Sequence, residues 1–81
     1  MTYQRTIVEM GAPAELAYAV EELMRDQYRT LDHLDRTTFR RQVRLAMRTI
    51  AEIRALAKSG DDLGIMLMSS YRIPSVHAGR S

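Results

Sequence analysis

The chain has 81 residues, a formal charge of +2 and no cysteine, with 46% hydrophobic and 27% charged residues. That length predicts one small domain over 1–81, and that composition excludes a fully disordered chain. The missing cysteines exclude disulfide frameworks, thiolate zinc sites and cysteine nucleophiles together, and they fit a cytoplasmic home.

No apolar run approaches the roughly 18 residues that a membrane span needs. Met1 to Met10 carries no apolar block of the signal-peptide kind. The charge is unevenly placed. Residues 1–35 hold seven acids and three arginines, a net of −4, whereas residues 36–81 hold nine bases and three acids, a net of +6. Arginine, which forks carboxylates and phosphates with two parallel donors, supplies eleven of the twelve bases.

Thr2 to Met10 (TYQRTIVEM) is β-prone and reads as a short strand or an extended N-terminal arm, within residues 1–11. As a strand it would set Thr6, Val8 and Met10 on one side and Arg5, Ile7 and Glu9 on the other. Gly11-Ala12-Pro13 then punctuates, and a proline suits the first position of a helix. From there Leu16, Val20, Leu23, Gln27, Thr30 or Leu31, and Leu34 recur at spacings of three and four, predicting a helix over about 13–31. Ala17, Met24 and Tyr28 flank that face. Tyr18, Glu21 and Arg25 point outward, and Glu15, Glu22 and Asp26 form an acidic stripe on the other flank.

Asp32 to Asp35 reads as a turn, with Asp35 placed to cap a second helix. Phe39, Val43, Ala46, Ile50, Ile53 and Ala57 then run 4-3-4-3-4, a heptad seam that predicts a helix over 36–58. Gly60 is a suitable stop. Around this helix Arg41, Arg44 and Arg48 lie opposite the seam. Arg36, Arg40, Arg54 and Lys58 line one flank, and Leu45, Thr49 and Leu56 line the other. Residues 62–73 read as a short helix capped by aspartate, with Leu63, Met66, Leu67 and Ser70 on one side. The same stretch also alternates as a strand. Met66, Leu67 and Met68 fit a core. Ser75 to Ser81 is a polar tail.

The fold class is therefore mostly α, an antiparallel hairpin of the two long helices. In such a pair the acidic flank of the first helix lies beside Leu45 and Leu56, so acidic and basic stripes fall on opposite edges. A hairpin alone has too little core. Either a second copy completes a four-helix bundle, making a homodimer, or the third helix closes the gap in a monomer.

The two histidines, His33 and His77, fall in a turn and a tail, where converging metal ligands are not expected. Gly11, Gly60, Gly64 and Gly79 match no phosphate-cradling loop, and no serine sits in a nucleophile elbow. The chain is expected to be no enzyme, with no cofactor, no metal, no small-molecule substrate and no membrane partner. Binding another protein or a second copy of itself, as a regulator, inhibitor or assembly factor, is the leading expectation. Its anchors would be Tyr18, Leu45, Leu56 and Tyr71, with Glu15, Glu22 and Asp26 as the acidic rim. The alternative is a nucleic-acid-binding regulator using Arg36, Arg40, Arg41, Arg44 and Arg48.

The order of elements, QRTIVEM, then PAELAYAVEELM, then TTFRRQVRLAMRTI over about residues 4–50, resembles that of ribbon-helix-helix repressors and antitoxins. That resemblance implies a DNA-facing strand bearing Arg5, Ile7 and Glu9. The chain departs from the pattern in its long first helix and in Glu9, which would repel phosphate.

Overall fold

Among the described residues four α-helices build the fold, and the longest shows why. The computed structural model describes residues 3–74. Helix α1 spans Gln4–Glu9, α2 spans Ala17–Gln27 after a 3-10 turn at Ala14–Leu16, α3 spans Arg36–Lys58 and α4 spans Asp62–Ser70. The Asp35 carboxylate accepts a hydrogen bond from the Thr38 amide at 2.7 Å, which satisfies one of the orphan donors at the start of α3. Its seam is buried at Phe39, Val43, Ala46, Ile50 and Ile53, with Ala57 half-buried at the end. At the other end Gly60 adopts φ +87°, the Asp61 amide donates to the Leu56 carbonyl and the Gly60 amide to the Ala57 carbonyl, both at 3.0 Å. This is a Schellman stop, in which a left-handed residue turns two amides back onto the last carbonyls.

The same stop ends α1. Gly11 has φ +108°, the Ala12 amide donates to the Ile7 carbonyl at 3.2 Å and the Gly11 amide to the Val8 carbonyl at 3.0 Å. The expected strand or arm is thus a helix, and among the described residues there is no strand. The glycine that punctuates the sequence closes a preceding helix rather than merely opening the next. With α1 helical, the likeness in element order to ribbon-helix-helix proteins does not extend to the structure, because the ribbon is missing.

Helix α4 overturns the strand alternative for 62–73. The Asp61 carboxylate accepts from the amides of Leu63 and Gly64 at 2.9 and 3.3 Å. At its end Arg72, φ +56°, takes the left-handed place, and the buried Ile73 donates its amide to the Met68 carbonyl at 2.9 Å. The expected core triplet is corrected too: Met66 is 56% exposed, while Leu67 and Met68 are half-buried.

Helix α2 is shorter than expected. Tyr28 is extended, at φ −123° and ψ 127°, so the helix stops at Gln27 and Leu31 reaches the core from the following turn. Its buried side is Leu16, Ala17, Ala19, Val20, Glu21 and Met24, while Gln27 is exposed. Ala17 and Met24, expected as a flank, are central, and Glu21, expected to point outward, is 4% exposed. The cause is α1, which packs on α2 and drives Ile7 to 0% exposure. The edge of the hairpin expected to await a second copy is therefore occupied by the chain's own first helix. The other edge receives α4, which packs on α3. The polar tail at 75–81 lies outside the described residues.

Candidate interaction surfaces

Three features of the fold bear on function, and the first is the outer side of α4. This helix is apolar in nearly every direction, so one side remains uncovered after the other has packed. Gly64 faces α3, close to Leu56 and Ala57. Leu63, Ile65 and Met66 face away and are 53%, 50% and 56% exposed. The sequence pattern sets Leu63 and Met66 with Leu67 on one inward side. The inward row is instead Gly64, Leu67, Met68 and Tyr71, rotated so that the residue without a side chain meets α3.

The second feature is where the C-terminal end of α4 meets α2. The Tyr71 hydroxyl donates to the Asp26 carboxylate. That bond, with partial burial and the nearby Asp26 and Glu22 charges, raises the phenol pKa above its ordinary value. Next to it the Arg72 guanidinium stands 5.1 Å from the centre of the Tyr18 ring, a cation–π contact. Leu45 and Thr49 of α3 line one shallow groove with Asp26 and Tyr71. The structure thus gathers Tyr18, Glu22, Asp26, Leu45 and Tyr71 around one corner. Leu56 lies further along α3 against Gly64, and Glu15 is exposed in the 3-10 turn. Tyr71 is half-buried and engaged within the chain, whereas Tyr18, Leu45 and Leu56 are 36%, 43% and 39% exposed.

The third feature is the arginine-rich side of α3. Arg36, Arg40, Arg41, Arg44 and Arg48 are all exposed. Arg41 and the Thr38 amide and hydroxyl together hold the Asp35 carboxyl below its ordinary range, the Thr38 bonds contributing most. Arg54, expected on the same basic flank, turns inward and donates to the Pro74 carbonyl at 3.2 and 2.9 Å.

One element was not anticipated. The buried Glu21 carboxylate accepts from Arg25 Nε and Nη2 at 3.2 and 2.8 Å, and from the Tyr3 amide at 3.3 Å, all on Oε2. The Arg25 guanidinium also lies 5.8 Å from the Tyr3 ring, which in turn tilts against Phe39 at 5.9 Å. The i, i+4 spacing of Glu21 and Arg25 is visible in the sequence, but it reads as a surface pair until α1 is known to cover it. These contacts pin the entry of α1 to α2 and α3.

His33 is exposed in the turn before α3, and His77 lies outside the described residues. Among the described residues no three histidines or carboxylates converge as a metal-holding group, and no helix is long and apolar enough to cross a membrane. Compared with known protein families, with curated proteins and with solved structures, the chain matches none.

Proposed function

We propose that this is a non-enzymatic protein-binding module, a regulator, inhibitor or assembly factor, that docks another protein or a second copy of itself on the outer side of α4. The observation that carries the reading is the exposure of Leu63, Ile65 and Met66, each at half or more, within a nine-residue helix. Single exposed apolar residues need no explanation, but Met66 lies opposite Gly64 with Leu63 and Ile65 to either side of it, so the three span the outward side of one short helix. Charged helix termini frame it, with Asp61 and Asp62 at one end and Arg72 at the other. An apolar centre with a charged rim is the usual anatomy of an interface.

The test begins with a partner captured on the immobilised chain and identified, or with self-association measured by sedimentation. Binding is then compared between the natural chain and Leu63→Ser/Met66→Ser. Covering the remaining half of each side chain contributes about 1 kcal/mol, so the double variant should bind about 30-fold more weakly. Its helicity and thermal midpoint should hold, because both residues already face water. Unchanged affinity in that variant sinks the reading. Leu56→Asp is a poorer probe, since Leu56 also supports α4.

A further inference from the structure

Eight of the eleven arginines of this protein fall into two groups. Arg25, Arg54 and Arg72 are engaged with Glu21, the Pro74 carbonyl and the Tyr18 ring, and Arg5 lies 3.8 Å from Glu9. By contrast Arg36, Arg40, Arg44 and Arg48 have no hydrogen-bond or ion-pair partner among the described residues, and all four are exposed. Even Glu52, one turn beyond Arg48, makes no ion pair with it among the described residues.

These four repeat every four residues along one rigid helix, so they form a single ridge rather than a scatter. At 1.5 Å per residue the ridge places a guanidinium about every 6 Å over about 18 Å. Successive phosphates of one strand in a duplex are 3.4 Å apart along its axis, so every second phosphate recurs at about 6.8 Å. Arg41, also exposed, lies beside the ridge and adds its charge to that side of the helix. Asp35 is occupied in capping α3, and Asp32 stands exposed in the turn just before it.

We infer that the Arg36–Arg40–Arg44–Arg48 ridge of α3 is a docking surface for the backbone phosphates of a nucleic-acid duplex. It is a second surface, separate from the α4 patch and independent of what binds there. The composition of the face decides between polyanions. Its exposed residues are arginines with Thr37, Ala51 and Ala55, and the row ends in the exposed Glu52, which limits the cationic stretch to Arg36–Arg48. No aromatic ring is offered on which an unpaired base would stack, which disfavours single strands. No large apolar side chain is exposed there to enter a bilayer or anchor an acidic protein. Phosphate contacts without base-reading groups bind without sequence preference.

The experiment is fluorescence anisotropy of a random-sequence duplex of about 25 base pairs, titrated with the full chain at several salt concentrations. Four phosphate contacts give a slope of log K against log salt of about −3.6, a loss of about 150-fold between 50 and 200 mM salt. Arg40→Gln/Arg44→Gln should halve the slope to about −1.8. Arg5→Gln/Arg29→Gln removes the same charge elsewhere and should leave the slope unchanged. Circular dichroism confirms that each variant keeps its helices. No duplex binding at 50 mM salt overturns the inference. So does an equal loss of slope in the Arg5/Arg29 control, which would mean undirected charge attraction. Equal or tighter binding of a single strand of the same length, or of phosphatidylserine vesicles, also overturns it.

Discussion

Gly64 of α4 sits so close to Leu56 of α3 that a Cβ added to it would lie 2.6 Å from the Leu56 Cβ and 2.5 Å from the Ala57 nitrogen. The clash includes backbone, which cannot swing aside. Alanine is the better helix former by about 1 kcal/mol, but overlap of this kind costs more, so Gly64→Ala should lose about 1–3 kcal/mol in urea unfolding. Gly60 has open space around it and φ +87°, so Gly60→Ala should lose only the left-handed strain of about 1–2 kcal/mol. A Gly64→Ala variant as stable as the natural chain would mean that α4 does not approach α3 so closely.

Glu21 and Arg25 make a prediction about a buried charge. Arg25→Met keeps the aliphatic stem but leaves the carboxylate with the Tyr3 amide alone. Breaking a fully buried pair costs about 3–5 kcal/mol. Here the Arg25 side chain is 37% exposed and water shares its charge, so about 2 kcal/mol is expected. Adding Glu21→Leu should restore part of that loss, since an apolar pair needs no donors. A double variant less stable than Arg25→Met would show that the carboxylate stabilises the fold by more than its bond to Arg25.

The N-terminal segment yields a third test. Ile7 is fully buried, while Val8 beside it is 39% exposed. Ile7→Ala should cost about 2–4 kcal/mol, and Val8→Ala less than about 0.5 kcal/mol. An extended arm would make the two variants alike, and a strand with Thr6, Val8 and Met10 inward would reverse their order. Hydrogen exchange should also protect the Met10 and Ala12 amides, which donate to the Thr6 and Ile7 carbonyls at 3.0 and 3.2 Å.

An element is legible in the sequence to the extent that independent signals coincide on it. Helix α3 carries three: the Asp35 cap, a seam sustained over five turns and the Gly60 stop. Helix α1 has six residues, too few for its period to separate from a strand, and its β-branched Thr6, Ile7 and Val8 favour the wrong answer locally. Gly11 is the one signal that points to it, and only if the glycine is assigned to the helix before rather than the helix after. Glu21 and the rotation of α2 depend on α1, so one missed helix misplaces a whole face. In α4 the pattern has little direction, because the apolar residues of DLGIMLMSS fall nearly all round the helix, and the choice of inward row rests with Gly64. For the candidate surfaces, the wheel of α3 sets Arg41, Arg44 and Arg48 opposite the seam, where they are exposed, but it has no means to show that the flanking Arg54 turns in to the Pro74 carbonyl. It has no information on Tyr71, which is taken up by Asp26 on a helix 45 residues away.

That long-range bond sets an alkaline limit on stability. The Tyr71 pKa is raised above 10.0 by its bond to Asp26, so the folded chain holds the phenol proton more tightly than the unfolded chain does. Its contribution is complete below about pH 10, the unfolded value, and disappears as pH rises through the folded value. Asp35 works the other way. Its pKa is lowered by the Thr38 bonds, so its contribution is present at neutral pH and disappears as pH falls below about 4. Tyr71→Phe should therefore be less stable than the natural chain by about 0.5–1 kcal/mol at pH 8, at the low end because the bond is exposed. The two stability curves should converge above pH 10. Denaturant melts of both proteins from pH 3 to 11 test this. If the gap stays constant through the alkaline range, the Tyr71–Asp26 bond does not form in solution.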